Sequence, residues 1–337
     1  MKFYNREMEI NYLKTYCQLE PNSILFVYGP KSSGKTTVML RVIEELSKRD
    51  DIIFFYYDLR RYATPTKEEF LEIFFKKGEK KYLLNTLEID LKIFKFGIEE
   101  NYDFNNIKLN DVFDKIYESI KAVIRDGKKP VLIIDELQKL KNIYFNGGKS
   151  LLNELFNLFV HLTKVRHLCN VICLTSDTLF IQEIYKNSTL EKAAEYYLID
   201  WLSKEDVESI LKDEGFTEKE IKYAAKFISL PYEISQLVNN KKVGISVEES
   251  IKRWINIEKD KIRYTIRENL DKKEEILKIL SKFKDNIKIK NDDIEDELFG
   301  TLKILIENEI LFYDVINGII KPSSLTKWFA INNLLKM

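Results

Sequence analysis

Short runs of apolar residues alternate with longer stretches in which apolar residues recur at helical spacing. The runs are SILFVY (23–28), DIIFFYYDL (51–59), KPVLIIDELQKL (129–140) and NVICLTSD (170–177), with YYLIDWL (196–202) as a candidate for a further one. Strands of a parallel sheet are buried on both faces, so they show no polar alternation. The pattern therefore predicts an α/β fold in which a parallel sheet is covered by helices.

The stretches between these runs have the spacing of amphipathic helices. TTVMLRVIEELSKR (36–49) and SLLNELFNLFVHLTKV (150–165) place apolar residues three and four positions apart. The tract from about Lys67 to Arg125 is predicted to be mostly helical. It carries lysine clusters, and nothing in it indicates chemistry.

The C-terminal part of the chain has a helical pattern. Residues 203–240 predict three short helices, the first capped by Ser203 and the third opening near Pro231, and residues 246–269 predict one longer helix. Three helical segments follow, EEILKILSKF (274–283), NDDIED (291–296) and ELFGTLKILIEN (297–308), and then a hairpin with an Asn317–Gly318 turn. This is the outline of a winged helix. The predicted division is a core at 1–202, a helical lid at 203–245, a linker helix at 246–271 and a winged-helix domain at 272–337.

Composition and charge exclude few classes of protein. The 337 residues suggest two or three domains, and 45% hydrophobic residues suffice for packed cores. The 54 basic and 54 acidic side chains cancel, so there is no overall attraction to nucleic acid or membrane. No run of about 18 apolar residues occurs, and the N-terminal residues are too charged for a signal peptide. We expect no membrane span and a cytoplasmic location.

Cysteine usage permits a metal site but does not favour one. Cys169 and Cys173 lie in a predicted strand, and His167 precedes them, whereas Cys17 lies far away in sequence. This spacing supplies at most three ligands and matches no recognised zinc pattern. We therefore expect buried, reduced thiols.

The stretch YGPKSSGKTT (28–37) fits the spacing G-x-x-x-x-G-K-[ST], which is typical of a phosphate-binding loop between a strand and a helix. Gly29 and Gly34 permit backbone angles that turn amides toward phosphate oxygens. Lys35 is expected to reach the β- and γ-phosphates and to serve catalysis, and the Thr36 hydroxyl to bind Mg²⁺. The candidate phosphate-binding residues are Gly29, Pro30, Lys31, Ser32, Ser33, Gly34, Lys35, Thr36 and Thr37.

Two carboxylates follow the buried strand VLIIDE (131–136). Asp135 emerges at the C-terminal edge of the predicted sheet, where ligands of such sheets collect, and is the second candidate Mg²⁺ ligand. Glu136 is suitably placed to orient and polarise an attacking water. The alternative is that this pair only caps the helix that starts near Leu137.

The strand ICLTSD (172–177) has a polar end at the same predicted edge. Thr175, Ser176 and Asp177 are candidates to hydrogen-bond the γ-phosphate or the water, and Ser176 is the one assigned to nucleotide binding. Ser176 or Asp177 is equally suited to be the N-cap of the next helix.

On these residues the chain resembles the archaeal ATPase family of P-loop NTPases, which is close to AAA+ proteins and to the signal-transduction ATPases with numerous domains. The resemblance rests on FYNREMEINYL (3–13), the glycine loop, VLIIDELQKL (131–140), VICLTSD (171–177), YYLIDWLSKEDV (196–207) and SLPYEISQLV (229–238). It implies ATP and Mg²⁺ as ligands, often with a C-terminal winged helix. It also implies that Phe3, Tyr4, Asn5 and Arg6 lie beside the adenine, and that Pro231 of the lid approaches the nucleotide.

No arginine can be assigned as a finger from the sequence. Arg60, Arg61 and Arg166 lie near predicted strand ends, and a solvated surface position is the favoured interpretation for each. The predicted winged helix carries 11 basic and 11 acidic residues from Lys272 to the end, which is a weak surface for DNA. A protein partner is therefore favoured over DNA.

These features predict a Mg²⁺-dependent ATP hydrolase that couples its nucleotide state to movement of the lid and winged helix. The alternative is a nucleotide-gated binding switch with negligible turnover that acts on DNA or a partner protein. A kinase of small molecules is a weaker third hypothesis, because the lid and Glu136 fit attack by water better.

Overall fold

The computed structural model describes residues 6–61, 70, 82–84, 87–89, 109–145 and 148–336. The strands are β1 (Ile24–Tyr28), β2 (Ile52–Asp58), β3 (Tyr82–Leu84), β4 (Leu87–Ile89), β5 (Lys129–Asp135), β6 (Tyr144–Phe145), β7 (Lys149–Ser150), β8 (Asn170–Thr175), β9 (Ala194–Leu198), β10 (Ile289–Lys290), β11 (Leu311–Asp314) and β12 (Ile319–Pro322). The helices are α1 (Glu7–Gln18), α2 (Lys35–Leu46), α3 (Leu109–Arg125), α4 (Leu151–Val160), α5 (Thr178–Tyr185), α6 (Lys204–Asp213), α7 (Glu218–Ala224), α8 (Pro231–Lys242), α9 (Val247–Glu268), α10 (Lys273–Ser281), α11 (Phe299–Glu307) and α12 (Leu325–Leu335).

Five strands form a parallel sheet in the order β2-β5-β8-β1-β9. Every apolar run singled out in the sequence contributes one of them, so the predicted sheet is confirmed. The fifth strand, β9, begins and ends earlier than the run at 196–202. The carboxyl ends of the parallel strands meet at one edge of the sheet, which brings the glycine loop after β1 close to the ends of β5 and β8.

The sheet is covered on both faces, as its unbroken apolar strands require. Leu25 and Val27 of β1 pack on the face covered by α1 and α2, and Phe26 packs on the face covered by α3, α4 and α5. Successive residues of one strand thus enter opposite cores. Each fully buried large apolar side chain contributes about 1.5–3 kcal/mol, so both layers hold the sheet.

The lid, α9 and the C-terminal elements share one hydrophobic cluster. It runs from Leu202 through Ile234, Ile262 and Phe283 to Ile331. α12, which the sequence pattern did not predict, packs along α9. The lid and the C-terminal elements therefore form one continuous packed body.

The C-terminal elements have the order of a winged helix. β10, β12 and β11 form an antiparallel sheet in that order, and the hairpin turn contains Gly318 at φ 64°. The predicted middle helix NDDIED is wrong, because the segment forms two 3-10 turns instead. The Asp293 carboxylate accepts the backbone N–H of Lys290 at 2.8 Å, and aspartates of this kind favour turns over helix interiors.

Residues 67–125 are only partly described. The described parts hold helix α3 and a small hairpin of β3 and β4, and the prediction of a mostly helical tract missed this hairpin. The rest of the tract lies outside the described residues.

The three cysteines are buried free thiols, and burial raises the pKa of Cys17 and Cys169 to about 12. Across the described ranges, no three His, Cys, Asp or Glu side chains are grouped to hold a metal ion. Nor does any described helix have the length and apolar character needed to cross a membrane.

Candidate functional site

The glycine loop leaves β1 through a position that only glycine fits. Gly29 has φ 154°, and a Cβ at this position would lie 2.1 Å from the backbone oxygen of Ile199. Ile199 is held there because its N–H donates to the Tyr28 oxygen at 2.8 Å. Gly34, at φ 95°, ends the loop and begins α2. The loop therefore takes its shape from the strand beside it as well as from its own glycines.

Lys35 lies under the loop. Its Nζ donates to the backbone oxygens of Gly29 and Pro30, both at 2.9 Å, and the side chain is 6% exposed. Burial lowers the pKa of Lys35 to about 8, although the nearby Glu136 and Asp135 carboxylates favour its charged form. An anion in the loop would compensate this buried charge.

Thr36 and Asp135 meet at the edge of the sheet, as the motif spacing predicts. The Thr36 hydroxyl donates to Asp135 Oδ2 at 2.7 Å, and the Tyr56 hydroxyl donates to the same oxygen at 3.0 Å. Asp135 is 1% exposed, and its Oδ1 is buried without a hydrogen-bond partner among the described residues. Burial raises the pKa of the Asp135 carboxyl to about 6. A buried carboxylate oxygen without a partner, beside a hydroxyl, suits a hard cation.

Glu136 has a strained backbone and a carboxylate held by polar neighbours. Its φ of 64° and ψ of 48° lie in the left-handed region, and its N–H donates to Leu174 O at 2.8 Å. Gln138 donates to one carboxylate oxygen, and the Ser176 hydroxyl lies 3.4 Å from both. The Glu136 side chain makes no capping hydrogen bond to the turn that follows, so capping does not explain it.

Ser176 is not the N-cap of the next helix. Asp177 takes that role, accepting the Phe180 N–H at 3.0 Å. The Thr175 hydroxyl donates to Gln138 Oε1 at 2.8 Å. Thr175, Gln138, Glu136 and Ser176 thus form one polar network at the ends of β5 and β8. Gln138 was not singled out in the sequence, where it resembles any polar helix residue.

Arg6 is hydrogen-bonded to the backbone of the glycine loop. It is 7% exposed and donates to the backbone oxygens of Ser33 at 3.1 Å and Asp200 at 2.7 Å. Phe3, Tyr4 and Asn5 lie outside the described residues. Arg6, which the resemblance implies lies beside the adenine, therefore contacts the loop backbone directly.

The lid touches the loop through Pro231. This proline is the first residue of α8, and a Cβ built on Gly34 would lie 3.5 Å from its Cγ. Of the remaining loop residues, Lys31, Ser32 and Thr37 are exposed, whereas Ser33 is fully buried.

The hairpin and the turn before it also lie against the loop and the end of β1, which no sequence pattern indicated. The Tyr28 hydroxyl donates to Asp314 Oδ1 at 2.6 Å, and Lys31 Nζ lies 2.7 Å from Glu309 Oε1. Lys321 pairs with the Asp200 carboxylate. A cavity of about 780 Å³ opens between the loop, the end of β8, the lid and this hairpin.

The three arginines near strand ends differ in position. Arg60 lies at the C-terminal edge, where its Nη2 is 3.4 Å from Asp135 Oδ2. Arg166 is exposed and precedes β8, at the opposite edge. The side chain of Arg61 lies outside the described residues.

Two families match the chain. Residues 3–237 match the family described as an ATPase domain predominantly from Archaea. Residues 248–335 match the C-terminal domain of the family described as uncharacterized ATP-binding protein MJ1010-like. The chain is 70% identical to the uncharacterized ATP-binding protein MJ1006 of Methanocaldococcus jannaschii, with 100% of this chain and 95% of that protein covered.

The solved structures that resemble this chain over nearly its whole length include two archaeal proteins. The Walker-type ATPase PABY2304 of Pyrococcus abyssi has a TM-score of 0.65 at 16% identity, with 98% of this chain and 96% of that one covered. The ORC2 protein of Aeropyrum pernix, in its ADPNP–ADP complexes, has a TM-score of 0.55 at 9% identity, with 99% and 95% covered. At such identities the likeness concerns the fold.

Proposed function

This chain belongs to the family of ATPase domains found predominantly in Archaea, and from this premise we propose that it is a Mg²⁺-dependent ATP hydrolase. The resemblance inferred from its motifs is confirmed, as is the P-loop α/β fold. The chain is an ATP-binding protein of that family. The observation that carries hydrolysis is the Glu136 carboxylate directly after Asp135, whose side chain accepts the Thr36 hydroxyl.

In this proposal the glycine loop binds the phosphates of ATP. Its backbone amides and the N-terminus of α2 attract the phosphate oxygens, and Lys35 supplies a buried positive charge. Arg6 holds the loop by donating to the Ser33 backbone oxygen, and Pro231 of the lid lies next to Gly34.

Thr36 and Asp135 are the residues that would hold Mg²⁺. Their oxygens are already adjacent, and the Asp135 Oδ1 without a partner fits a hard cation. Bound Mg²⁺ supplies charge neutralisation on the phosphate oxygens during transfer.

Glu136 is the proposed base. It orients a water whose oxygen bonds to the γ-phosphorus while the bond from that phosphorus to the β–γ bridging oxygen breaks. A water proton passes toward the carboxylate, and ADP and phosphate are released. Gln138 and Ser176 hold the Glu136 carboxylate at the edge of the sheet, and in this proposal the attacking water replaces one of these contacts.

Nucleotide state is proposed to move the lid and the winged helix relative to the core. The support is direct contact, because Pro231 of the lid and Glu309 of the winged helix both lie against the loop. The division into core, lid, linker helix and winged helix remains part of this proposal, as does the cytoplasmic location.

A protein partner is favoured over DNA for the winged helix. DNA-binding helix-turn-helix domains insert one helix into the major groove. The corresponding helix here, α11, packs against α5 of the core, and Asp314 of the hairpin is 4% exposed. DNA binding by these surfaces would require the domain to leave the core.

The alternative function is a nucleotide-gated binding switch with negligible turnover. The observation that favours it is the engagement of both Glu136 oxygens by Gln138 and Ser176. A carboxylate that stays so engaged would not reach a water.

Phosphate release from Mg-ATP separates the two functions. We would compare the wild type with Glu136→Gln and with Glu118→Gln, a control on the exposed face of α3, after showing that all three bind ATP. Hydrolysis predicts turnover by the wild type and the control, and loss of at least ~100-fold in Glu136→Gln. If all three bind ATP and none releases phosphate, the chain alone is a switch.

A further inference from the structure

The end of β2 brings one arginine to the site that Thr36 and Asp135 form. β2 pairs with β5 so that Asp58 lies opposite Asp135. Arg60 follows Asp58 by two residues, and its Nη2 lies 3.4 Å from Asp135 Oδ2. That oxygen is the one that accepts the Thr36 hydroxyl. Whatever binds between Thr36 and Asp135 therefore lies next to this guanidinium.

Asp58 holds the Arg60 guanidinium in a defined orientation. Arg60 Nε donates to Asp58 Oδ1 at 2.9 Å and Nη2 donates to Oδ2 at 3.0 Å, while the Arg60 backbone N–H also donates to Oδ1 at 3.0 Å. A planar guanidinium held along one edge loses little freedom when it binds a second partner. Among the described residues, Nη1 makes no hydrogen bond, so its N–H groups remain for a ligand.

The charges around Arg60 explain why it stays at the site. Three carboxylates, Asp58, Asp135 and Glu136, lie at this edge, and the buried Lys35 interacts with Asp135 and Glu136. Arginine remains charged at any working pH, and planar guanidinium groups match phosphate oxygens. The Arg60 side chain is 44% exposed, so a ligand can reach it.

We propose that Arg60 binds the terminal phosphate of ATP and lets the chain distinguish ATP from ADP without an arginine from a partner. The proposal rests on the nucleotide site proposed above. It assigns Arg60 to the γ-phosphate, with Asp58 as the residue that positions it. The competing role is that of a counter-ion, in which Arg60 only neutralises Asp135 until a cation takes its place.

The chain offers a matched control for this proposal. Arg49, at the other end of the strand, makes the same two-pronged contact with Asp51, with Nε to Oδ1 at 2.9 Å and Nη2 to Oδ2 at 2.7 Å. Arg49→Ala therefore removes the same bidentate arginine–aspartate contact at the end of β2 away from the glycine loop. Arg60→Lys keeps the charge but not the planar fork, and it serves as the second variant if Arg60→Ala folds poorly.

The measurement is calorimetric binding of Mg²⁺ complexes of ADP and of the non-hydrolysable imido analogue of ATP. We expect the wild type and Arg49→Ala to prefer the triphosphate, and both Arg60 variants to lose roughly tenfold of that preference with ADP affinity nearly unchanged. Thermal melting of all variants without nucleotide checks that each is folded.

Three outcomes would overturn the proposal. In the first, the wild type shows no preference for the triphosphate. In the second, the Arg60 variants keep that preference. In the third, they lose affinity for both nucleotides equally. A titration of the ADP complex with Mn²⁺ identifies the competing role. If Arg60→Ala keeps the preference for the triphosphate but binds Mn²⁺ more tightly than the wild type does, Arg60 is a counter-ion. Because the readout is an affinity ratio, it is obtained whether or not the wild type releases phosphate.

Discussion

Gly29 is the residue at which the site tolerates least change. Its φ of 154° is strained for any residue with a Cβ, and such an atom would lie 2.1 Å from the Ile199 oxygen. That oxygen belongs to the backbone after β9 and cannot move without breaking the contact between Ile199 N–H and Tyr28 O. The glycine is thus required by packing between two strands as well as by phosphate.

Gly29→Ala is expected to destabilise the chain by about 3 kcal/mol or more, from overpacking added to backbone strain. ATP binding should be lost with it. The control is Gly127→Ala, because Gly127 also has positive φ (73°), but a Cβ built there would meet no described residue within 4 Å apart from its chain neighbours. That variant should lose only about 1 kcal/mol. Urea unfolding measures both, and equal losses would show that the Ile199 contact does not matter.

At the scale of elements, the lid helices begin with carboxylates that have opposite titration behaviour. Glu233 of α8 accepts the N–H groups of Ser229 and Leu230, and burial raises its pKa above the ordinary 4.5. Glu220 of α7 accepts the Thr217 N–H at 2.7 Å, and this hydrogen bond lowers its pKa. The two caps look alike in sequence, but desolvation dominates the pKa of Glu233 and hydrogen bonding dominates that of Glu220.

The pH dependence of stability should therefore differ in sign between these two caps. With its pKa raised, Glu233 adds stability that is present below pH 4.5 and is lost as the pH rises through its folded pKa. With its pKa lowered, Glu220 adds stability that is present above pH 4.5 and is lost as the pH falls.

Unfolding free energies of the wild type, Glu233→Gln and Glu220→Gln between pH 4 and pH 7 test this prediction. The difference between the wild type and Glu233→Gln should shrink with rising pH, and the difference for Glu220→Gln should grow. The groups facing Glu233 are Thr326, Ser324 and the cation Lys327, and Lys241 faces Glu220. Parallel curves for both variants would contradict the prediction.

At the scale of the whole molecule, the C-terminal domain is joined to the core by buried polar contacts. Lys321 is 8% exposed, pairs with Asp200, and lies 4.5 Å from the centre of the Trp201 ring. The backbone oxygen of Asp200 also accepts from Arg6, which holds the glycine loop. A chain of contacts therefore links the hairpin to the loop.

Lys321→Gln is expected to loosen this docking and to cost about 1–3 kcal/mol, because a charged hydrogen bond is lost in a buried setting. Hydrogen–deuterium exchange should accelerate in β11 and β12 while β1 and β5 remain protected. Lys303→Gln, on the exposed face of α11, is the control and should leave exchange unchanged. If Lys321→Gln also leaves the hairpin protected, the apolar contacts alone hold the domain.

Much of the core could be predicted from the sequence because its signals are local. Unbroken apolar runs mark strands buried on two faces, and Ser203 and Pro231 mark helix starts that the structure confirms. The contact between Thr36 and Asp135, 99 residues apart, followed from a general rule that carboxyl ends of parallel strands share an edge. The hairpin β3–β4 and helix α12 were missed, because their short or weakly amphipathic segments carry little periodicity.

The sequence by itself determined the parallel sheet, the glycine loop and the residues that meet at its edge, since these depend on local spacing and on a shared strand direction. Only the tertiary structure decided that Gln138 and Ser176 hold Glu136, that Arg60 lies beside Asp135, and that Asp314 pairs with Tyr28, 286 residues away. The physical reason is that such pairs depend on how separate elements pack. A polar residue that finds its partner across that packing has the same local pattern as one that faces water.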